Sequence, residues 1–486
     1  MVVTLNGSES SLSVDKVFSL EDQHWFAGLS GDYNPIHLDE FTAYRAQYPQ
    51  PLVHGIHVVL WCLQQISQST SELVLSELSV RFRLPVLVNQ KVKLCITQHK
   101  PNTWKATVYS GHNKLVTLTA VSSDFNKTSV QQLENMPFNL PNELELDQQL
   151  EELSGSIPLG VNSFSLQKAF SELMAKCCHE QLATLLSSSY IVGMRVPGLH
   201  SLFNELNLYW SNPVAAGDNH RGFLSFEVCR VLPAYRRISL KLVGKNYTGN
   251  IEATFRPKPV KQETLSYFQN IVAPDAMKND RVLIIGGSRG IGNVASKIAT
   301  AAGADVRFTY SESHEEARLL REELSVVCQD IKAIKMNVLD NCCAFFEKVI
   351  DFRPTIIFYF ATPPIKENWG EFDTQLLLDF DKFYIEAFER IIRQLHHASP
   401  SNMDVILASS EYVNDTPEQF REYAMSKSAS ETLAFSLDQE LKHAAFHVYR
   451  FPKVLTDQTS GSLNPNIETP GSHVIKAFEL LRAVKL

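Results

Sequence analysis

The stretch RVLIIGGSRGIGNVASKIATAAGADVRFTY, from Arg281 to Tyr310, constrains this chain more than any other. An apolar run, a glycine-rich turn, a helix-forming segment and a second apolar run follow one another. That order reads as a βαβ unit, which places its neighbourhood in a parallel sheet covered by helices. Gly286, Gly290 and Gly292 stand at the turn. Glycine permits positive φ there and lets the backbone approach a pyrophosphate resting on the helix N-terminus. A plain tight turn also uses glycine; the strand before and the helix after favour the dinucleotide reading. TIIFYF, DVILASS and FHVYRFP recur at the spacing of further parallel strands.

A free ribose 2′-hydroxyl usually calls for an acid at the end of the second strand. That strand ends at Tyr310 and Ser311 without one, while Arg289 lies inside the turn. A guanidinium suits a 2′-phosphate, so NADPH is expected in preference to NADH; otherwise Arg289 is a solvated surface residue. Further on, Tyr423 and Lys427 are four apart, sharing one face of a helix. An ammonium there is expected to lower the phenol's pKa and make it a usable proton donor. Ser410 ends DVILASS, where its hydroxyl can meet a carbonyl oxygen that gains charge.

These residues resemble the short-chain dehydrogenase/reductase family over most of Arg281 to Thr456. Its pattern, T-G-x-x-x-G-x-G with a Ser about thirteen positions before Tyr-x-x-x-Lys, is met by IGGSRGIG (Ile285–Gly292), Ser410 and YAMSK (Tyr423–Lys427). The resemblance implies that Ser410 orients substrate, Tyr423 donates the proton and Lys427 holds the nicotinamide ribose. It assigns cofactor contacts to Gly286, Ser288, Arg289, Gly290, Ile291, Gly292, Ser311, Asn337, Val338, Ala361, Pro452 and Thr456. The chain departs from the family where N-N-A-G becomes FATP (Phe360–Pro363), where Lys382 to Tyr384 replace a relay Asn, and where Lys453 follows Pro452 in place of Gly.

The rest of the 486 residues is ordinary globular text, 44% hydrophobic and 20% charged. A net charge of −8 argues against non-specific nucleic-acid binding. Eight cysteines without C-x-x-C spacing make a disulfide framework or a metal site unexpected and favour a reducing, cytoplasmic setting. No apolar run reaches the length of a membrane span, and the N-terminus lacks a signal core. Three domains are expected, at 1–130, 155–260 and 276–486, with linkers at NKTSVQQLENMPFNLPNELELDQQ and from Arg256 to about Asp280. A long helix is read at LQKAFSELMAKCCHEQLATLL in the second domain. Its SVRF-like segment, NELNLYWSNPVAAGD (Asn204–Asp218), aligns without gaps with SELSVRFRLPVLVNQ (Ser76–Gln90), so the first two domains read as repeats.

LSGDYNPIHLDEFTA in the first domain holds Asp32 and His37 five apart around Asn34-Pro35. Pro35 disfavours a regular helix, and a turn can aim both side chains into one cleft. Moving water across a C=C bond beside a thioester needs an acid and a base, which a carboxyl and an imidazole supply, plus an N–H to polarise the carbonyl. An Asp-capped turn with an incidental His is the other reading of the residues alone. The segment resembles the MaoC-like, (R)-specific enoyl-thioester hydratase/dehydratase family of the hotdog fold. Asp32, Asn34, Pro35, Ile36, His37 and Ala43 match its signature of D-x-N-P-[LIV]-H followed six positions later by Ala, and Val53-His54-Gly55 its V-H-G. The resemblance makes Asp32 and His37 a catalytic dyad, Gly55 the oxyanion candidate and Asn34 a support. The second domain keeps His200 in VPGLHSLF but no D-x-N-P-x-H, and is expected to be a degenerate hotdog.

The expected architecture is therefore an α+β double hotdog followed by an α/β Rossmann-type doubly wound sheet. The expected enzyme reduces a 3-oxoacyl thioester of coenzyme A or acyl carrier protein with NADPH, then dehydrates the alcohol to a 2-enoyl thioester. The alternatives are hydration followed by NAD-linked oxidation, as in β-oxidation, or one activity with the other domain kept as scaffold. No metal is expected; a homodimer is.

Overall fold

A computed structural model describes residues 2–6, 9–46, 48–125, 127, 130–132, 137–146, 148–211, 222–328, 330–340, 343–365, 367–398, 402–460 and 467–481. They form two units, Met1–Lys258 and Pro259–Leu486.

The first unit is built on one antiparallel sheet. Strands Glu9–Val17, Lys91–Lys100, Thr103–Ser110, Asn113–Ser122 and β1 (Leu75–Phe82) lie side by side in that order. The sheet then crosses to β2 (Ser201–Trp210) and continues through Tyr247–Phe255, Arg237–Val243, Phe223–Leu232 and Ser154–Pro158. The crossing pairs the two aligned segments with each other: Ser79 faces Asn207, its own counterpart in the alignment, and donates to its Oδ1 at 2.6 Å. The two aligned strands thus pair antiparallel about Ser79 and Asn207. Pro213 and Val214, which carried the rest of the match, lie outside the described residues.

Each half lays a helix against its strands. In α1 (Leu20–Ser30) Ser19 and Asp22 form a capping box, and Gly31, at φ 76°, ends the helix in the left-handed conformation. Helix α2 (Gly55–Ser67) buries Ile56, Val58, Val59, Leu60, Leu63 and Ile66, each contributing about 1.5–3 kcal/mol on burial. The long helix expected in the second half is three: Ser163–Ala169, Ser171–Lys176 and α3 (His179–Tyr190). Phe170 and Cys177 leave the helical region and turn into the core, so packing overrides the local helical preference. Arg256, expected to begin a linker, is instead buried at the end of the last strand.

In the second unit β3 (Arg281–Ile285), β4 (Asp305–Tyr310), β5 (Lys332–Lys335), β6 (Ile356–Tyr359), β7 (Met403–Ser410) and β8 (Ala444–Phe451) form a parallel sheet ordered β5-β4-β3-β6-β7-β8. The order reverses between β4-β3 and β6, the crevice where doubly wound sheets bind ligands. Helix α4 (Gly290–Ala301) follows β3, and α5 (Arg421–Glu440) precedes β8. Among the described residues, no helix is long and apolar enough to cross a membrane.

Candidate functional site

In the first unit, Gly31 releases the chain from α1 directly into Asp32. Asn34 Oδ1 then accepts from Ile36 N–H at 3.2 Å and starts the short 3-10 turn Pro35–His37. Asp32 and His37 face one cleft together with Gly55, Val58, Phe82, Val116, Ser189 and Gly193. Gly55 is the first residue of α2, and first-turn amides have no acceptor within their own helix.

The protonation of the pair follows from its partners. Burial pushes the Asp32 carboxyl up to about 7, against the Ser189 hydroxyl and the Asn34 amide that favour the carboxylate. Burial takes His37 down to about 4; its bond to Leu52 O opposes that and the Arg256 charge adds to it. His37 Nδ1 lies 2.8 Å from Leu52 O. A carbonyl only accepts, so Nδ1 carries the proton and Nε2 keeps a lone pair. Near neutral pH the site holds one carboxyl close to its own pKa and one neutral imidazole.

Sequence reasoning missed what the other half supplies. Ser189, at the end of α3, donates to Asp32 Oδ2 at 2.7 Å. Gly193 packs so closely that a Cβ on it would lie 1.9 Å from Asp32 Oδ1. Asn34 Nδ2 reaches Gly193 O at 3.1 Å and Gly198 O at 3.0 Å. No motif marks these positions; their separation of more than 150 residues from Asp32 is bridged only by the fold. His54 stacks on His37 at 3.9 Å and directs Nε2 at Asp32 O and Nδ1 at Gln23 Oε1. Asp32, His37 and His54 are near enough to chelate an ion. With both His54 nitrogens facing acceptors and His37 Nδ1 committed to Leu52, only one carboxylate and one imidazole nitrogen remain. His200, which has no carboxylate nearby in sequence, meets Glu143 Oε1, 57 positions away, at 3.4 Å.

In the second unit the Ser410 and Tyr423 hydroxyls hydrogen-bond, and Tyr412 N–H donates to Ser410 Oγ at 3.3 Å. Lys427 Nζ donates to Ala408 O at 2.7 Å and sits 3.7 Å from the centroid of the Tyr384 ring. The expected acidifying effect of Lys427 on Tyr423 is not found. Burial pushes the phenol up to about 12, and the ammonium, itself taken down to about 7 by burial, is not among its perturbing groups. The ammonium is turned toward Ala408 and Tyr384, 5.8 Å from the Tyr423 ring centroid.

The glycine-rich turn fits a dinucleotide. Gly286 and Gly290 take φ of 81° and 53°, and a Cβ on Gly292 would lie 2.1 Å from Gly286 O. Arg289 caps α4 with backbone only, which leaves the first-turn amides to an anion. Ser288 is buried, Ile291 packs into the sheet core, and Thr456 abuts Gly290. Ala361 follows β6, close to Gly286, and Ser311 follows β4. Asn337 turns its amide onto Leu339 N and Asp340, and Val338 is buried with its carbonyl held by Arg390. Pro452 is half-buried just past β8. Arg289 faces an acid: Asp457 Oδ2 is 3.7 Å from Nη1.

The antiparallel strands between Glu9 and Ser122 and the buried helix α2, with Asp32 and His37 in the adjoining cleft, define a hotdog domain of the MaoC class. The family described as "MaoC like domain" matches residues 6–119. The mitochondrial 3-hydroxyacyl-[acyl-carrier-protein] dehydratase of Arabidopsis thaliana is 32% identical over 111 residues, 21% of this chain and 67% of that protein. The chain belongs to the MaoC-like dehydratase family through this domain. Solved structures similar to the chain include a Serratia marcescens short-chain dehydrogenase/reductase (20% identity, 43% of this chain and 92% of that one, TM-score 0.39). Another is a 3-oxoacyl (acyl-carrier-protein) reductase from Agrobacterium tumefaciens with NADP bound (14%, 42% and 88%, TM-score 0.38).

Proposed function

We propose that the chain is a bifunctional enzyme that reduces a 3-oxoacyl thioester with NADPH and dehydrates the 3-hydroxyacyl product to the 2-enoyl thioester. The carrying observation is that Asp32 and His37 share one cleft in complementary states, one near its pKa and one neutral. In dehydration His37 Nε2 takes the Cα proton, the Gly55 N–H receives the charge that develops on the thioester oxygen, and protonated Asp32 gives its proton to the departing hydroxyl. Hydration retraces these steps. The first unit is a double hotdog whose second half has lost its own dyad and supplies Ser189 and Gly193 to the first. Similarity to the Arabidopsis 3-hydroxyacyl-[acyl-carrier-protein] dehydratase favours an acyl-carrier-protein thioester.

In the second unit a nicotinamide cofactor would supply hydride chemistry, and the turn from Gly286 to Gly292 with Arg289 would hold its phosphates. Tyr423 gives its proton to the substrate carbonyl oxygen, Ser410 orients that oxygen, and Lys427 positions the ribose. A raised phenol pKa keeps Tyr423 protonated at neutral pH. One observation favours the reverse, NAD-linked direction: Asp457 beside Arg289 opposes a second negative charge there. Incubation with NADPH or NADH and a 3-oxoacyl thioester, followed by mass analysis, tests both readings. A gain of two hydrogens and then loss of water with NADPH supports the proposal; no reduced product with either cofactor overturns it.

A further inference from the structure

Two departures from the reductase pattern meet inside the second unit. One is FATP (Phe360–Pro363), just after β6; the other is Lys382 to Tyr384, in the place of a relay Asn. The helix that begins at Thr374 widens into a π turn at Lys382–Ala387, a local irregularity that recurs at functional sites. Tyr384, within that turn, is fully buried, and its hydroxyl bonds to Thr362 of FATP. Thr362 Oγ1 donates to Pro363 O at 3.0 Å, and a hydroxyl carries one proton, so Tyr384 is the donor to Thr362. FATP thus fixes the phenol by its hydroxyl, and the ring face is turned to Lys427. The ammonium of that residue, 6% exposed, lies 3.7 Å from the Tyr384 ring centroid and donates to Ala408 O at 2.7 Å. Glu431, one turn further along α5, commits its carboxylate elsewhere, to Ser409 Oγ and to Arg450 Nε and Nη2 at 2.8 and 2.6 Å. A buried ammonium without a bonded carboxylate is costly. The negative face of an aromatic ring offsets part of that cost.

We propose that Tyr384 is a positioning residue of the reductase site: its ring face, oriented by Thr362, seats the Lys427 ammonium beside Ala408 O and keeps it available to the ribose of the nucleotide. The inference rests on the reductase reading. An ammonium has three donors; the carbonyl and the ring take two sides of this one, and the ribose takes the third. The part is unlike that of a relay Asn. The hydroxyl proton of Tyr384 is committed to Thr362, so the tyrosine holds the lysine and passes no proton to it. The two departures from the family pattern are therefore one device, in which Thr362 aims the ring that replaces the amide.

The test is the dissociation constant for NADPH, measured by nucleotide fluorescence on the full chain, for the wild type, Y384F, Y384L, K427M and the double variant. Y384F keeps the ring face and should bind within about twofold of the wild type, whereas Y384L should bind about tenfold or more weakly. In the K427M background Y384L should add no further loss, because its effect runs through the ammonium. A Y384L loss of the same size with and without Lys427 overturns the proposal and leaves Tyr384 a packing residue. A Y384F loss as large as that of Y384L overturns it too, by placing the effect on the hydroxyl. If a variant does not fold, NMR of the lysine-labelled wild type decides. An upfield-shifted lysine ε-methylene in contact with a tyrosine ring supports the proposal, and lysine resonances without one overturn it. A wild type that binds neither NADPH nor NADH defeats the reductase reading itself, while binding with an additive double variant defeats only the seat.

Discussion

Replacing Ser189 by Ala removes the hydroxyl that donates to Asp32 Oδ2 at 2.7 Å in a site where both residues are 3% exposed. A hydrogen bond to a charged group is worth about 1.5–3 kcal/mol, or about one to two pKa units. The donor favours the carboxylate, so its loss raises the Asp32 pKa from about 7 toward 8–9. Dehydration needs protonated Asp32 with neutral His37, and hydration uses a tautomer with the same proton count. Wild-type kcat/KM should therefore be bell-shaped, falling below about 4 and above about 7. At pH 8.5 the wild type should keep about 3% of its plateau and S189A about a quarter to three quarters of its own. The plateau of S189A should drop as well, because the carboxyl is less firmly aimed. The assay is crotonyl-CoA hydration followed by absorbance from pH 4 to 9.5. An alkaline limb that stays in place in S189A would refute the argument that the second half tunes this carboxyl.

Gly193→Ala places a methyl 1.9 Å from Asp32 Oδ1, so hydration should fall by about a hundredfold or more while the circular dichroism spectrum is retained. His57 stacks on Phe26 at 4.9 Å with an unpartnered Nδ1, and burial takes it down to about 3. Its folded pKa lies below the ordinary value, so stability is lost as pH falls from about 6.5 toward 3, by about 2 kcal/mol at pH 5. His57→Phe should shrink the Tm difference between pH 7.5 and pH 5; an unchanged difference contradicts that. Arg289→Ala should weaken NADPH binding by about tenfold or more, measured by nucleotide fluorescence, and NADH binding much less. Equal losses for the two nucleotides would show that Arg289 serves no 2′-phosphate.

What the sequence made legible is what short-range chemistry writes. Asp32, Asn34, Pro35 and His37 form one local turn, so their spacing carries their geometry. Gly286, Gly290 and Gly292 mark places where a Cβ cannot be accommodated or φ is positive, and glycine advertises both. The alignment of the two segments is matched by strand pairing, which sets Leu78 and Leu206 at equivalent positions on either side of Ser79 and Asn207. Ser189 and Gly193 were not legible, because each meets Asp32, far away in the chain, through a contact only the assembled sheet creates. The long helix of the second half failed for the same reason: the core demand at Phe170 and Cys177 has no local signature. The acidifying role given to Lys427 assumed that sharing a helix face sets the ammonium against the phenol, whereas Ala408 O and the Tyr384 ring hold it.

The most direct measurement gives the purified chain each half-reaction separately, with D32N and Y423F beside the wild type. D32N should lose dehydration of 3-hydroxybutyryl-CoA and keep NADPH-dependent reduction of acetoacetyl-CoA, and Y423F should do the reverse, each loss being about a hundredfold or more. If either variant retains the half-reaction assigned to its residue, the two-site account is wrong for that unit.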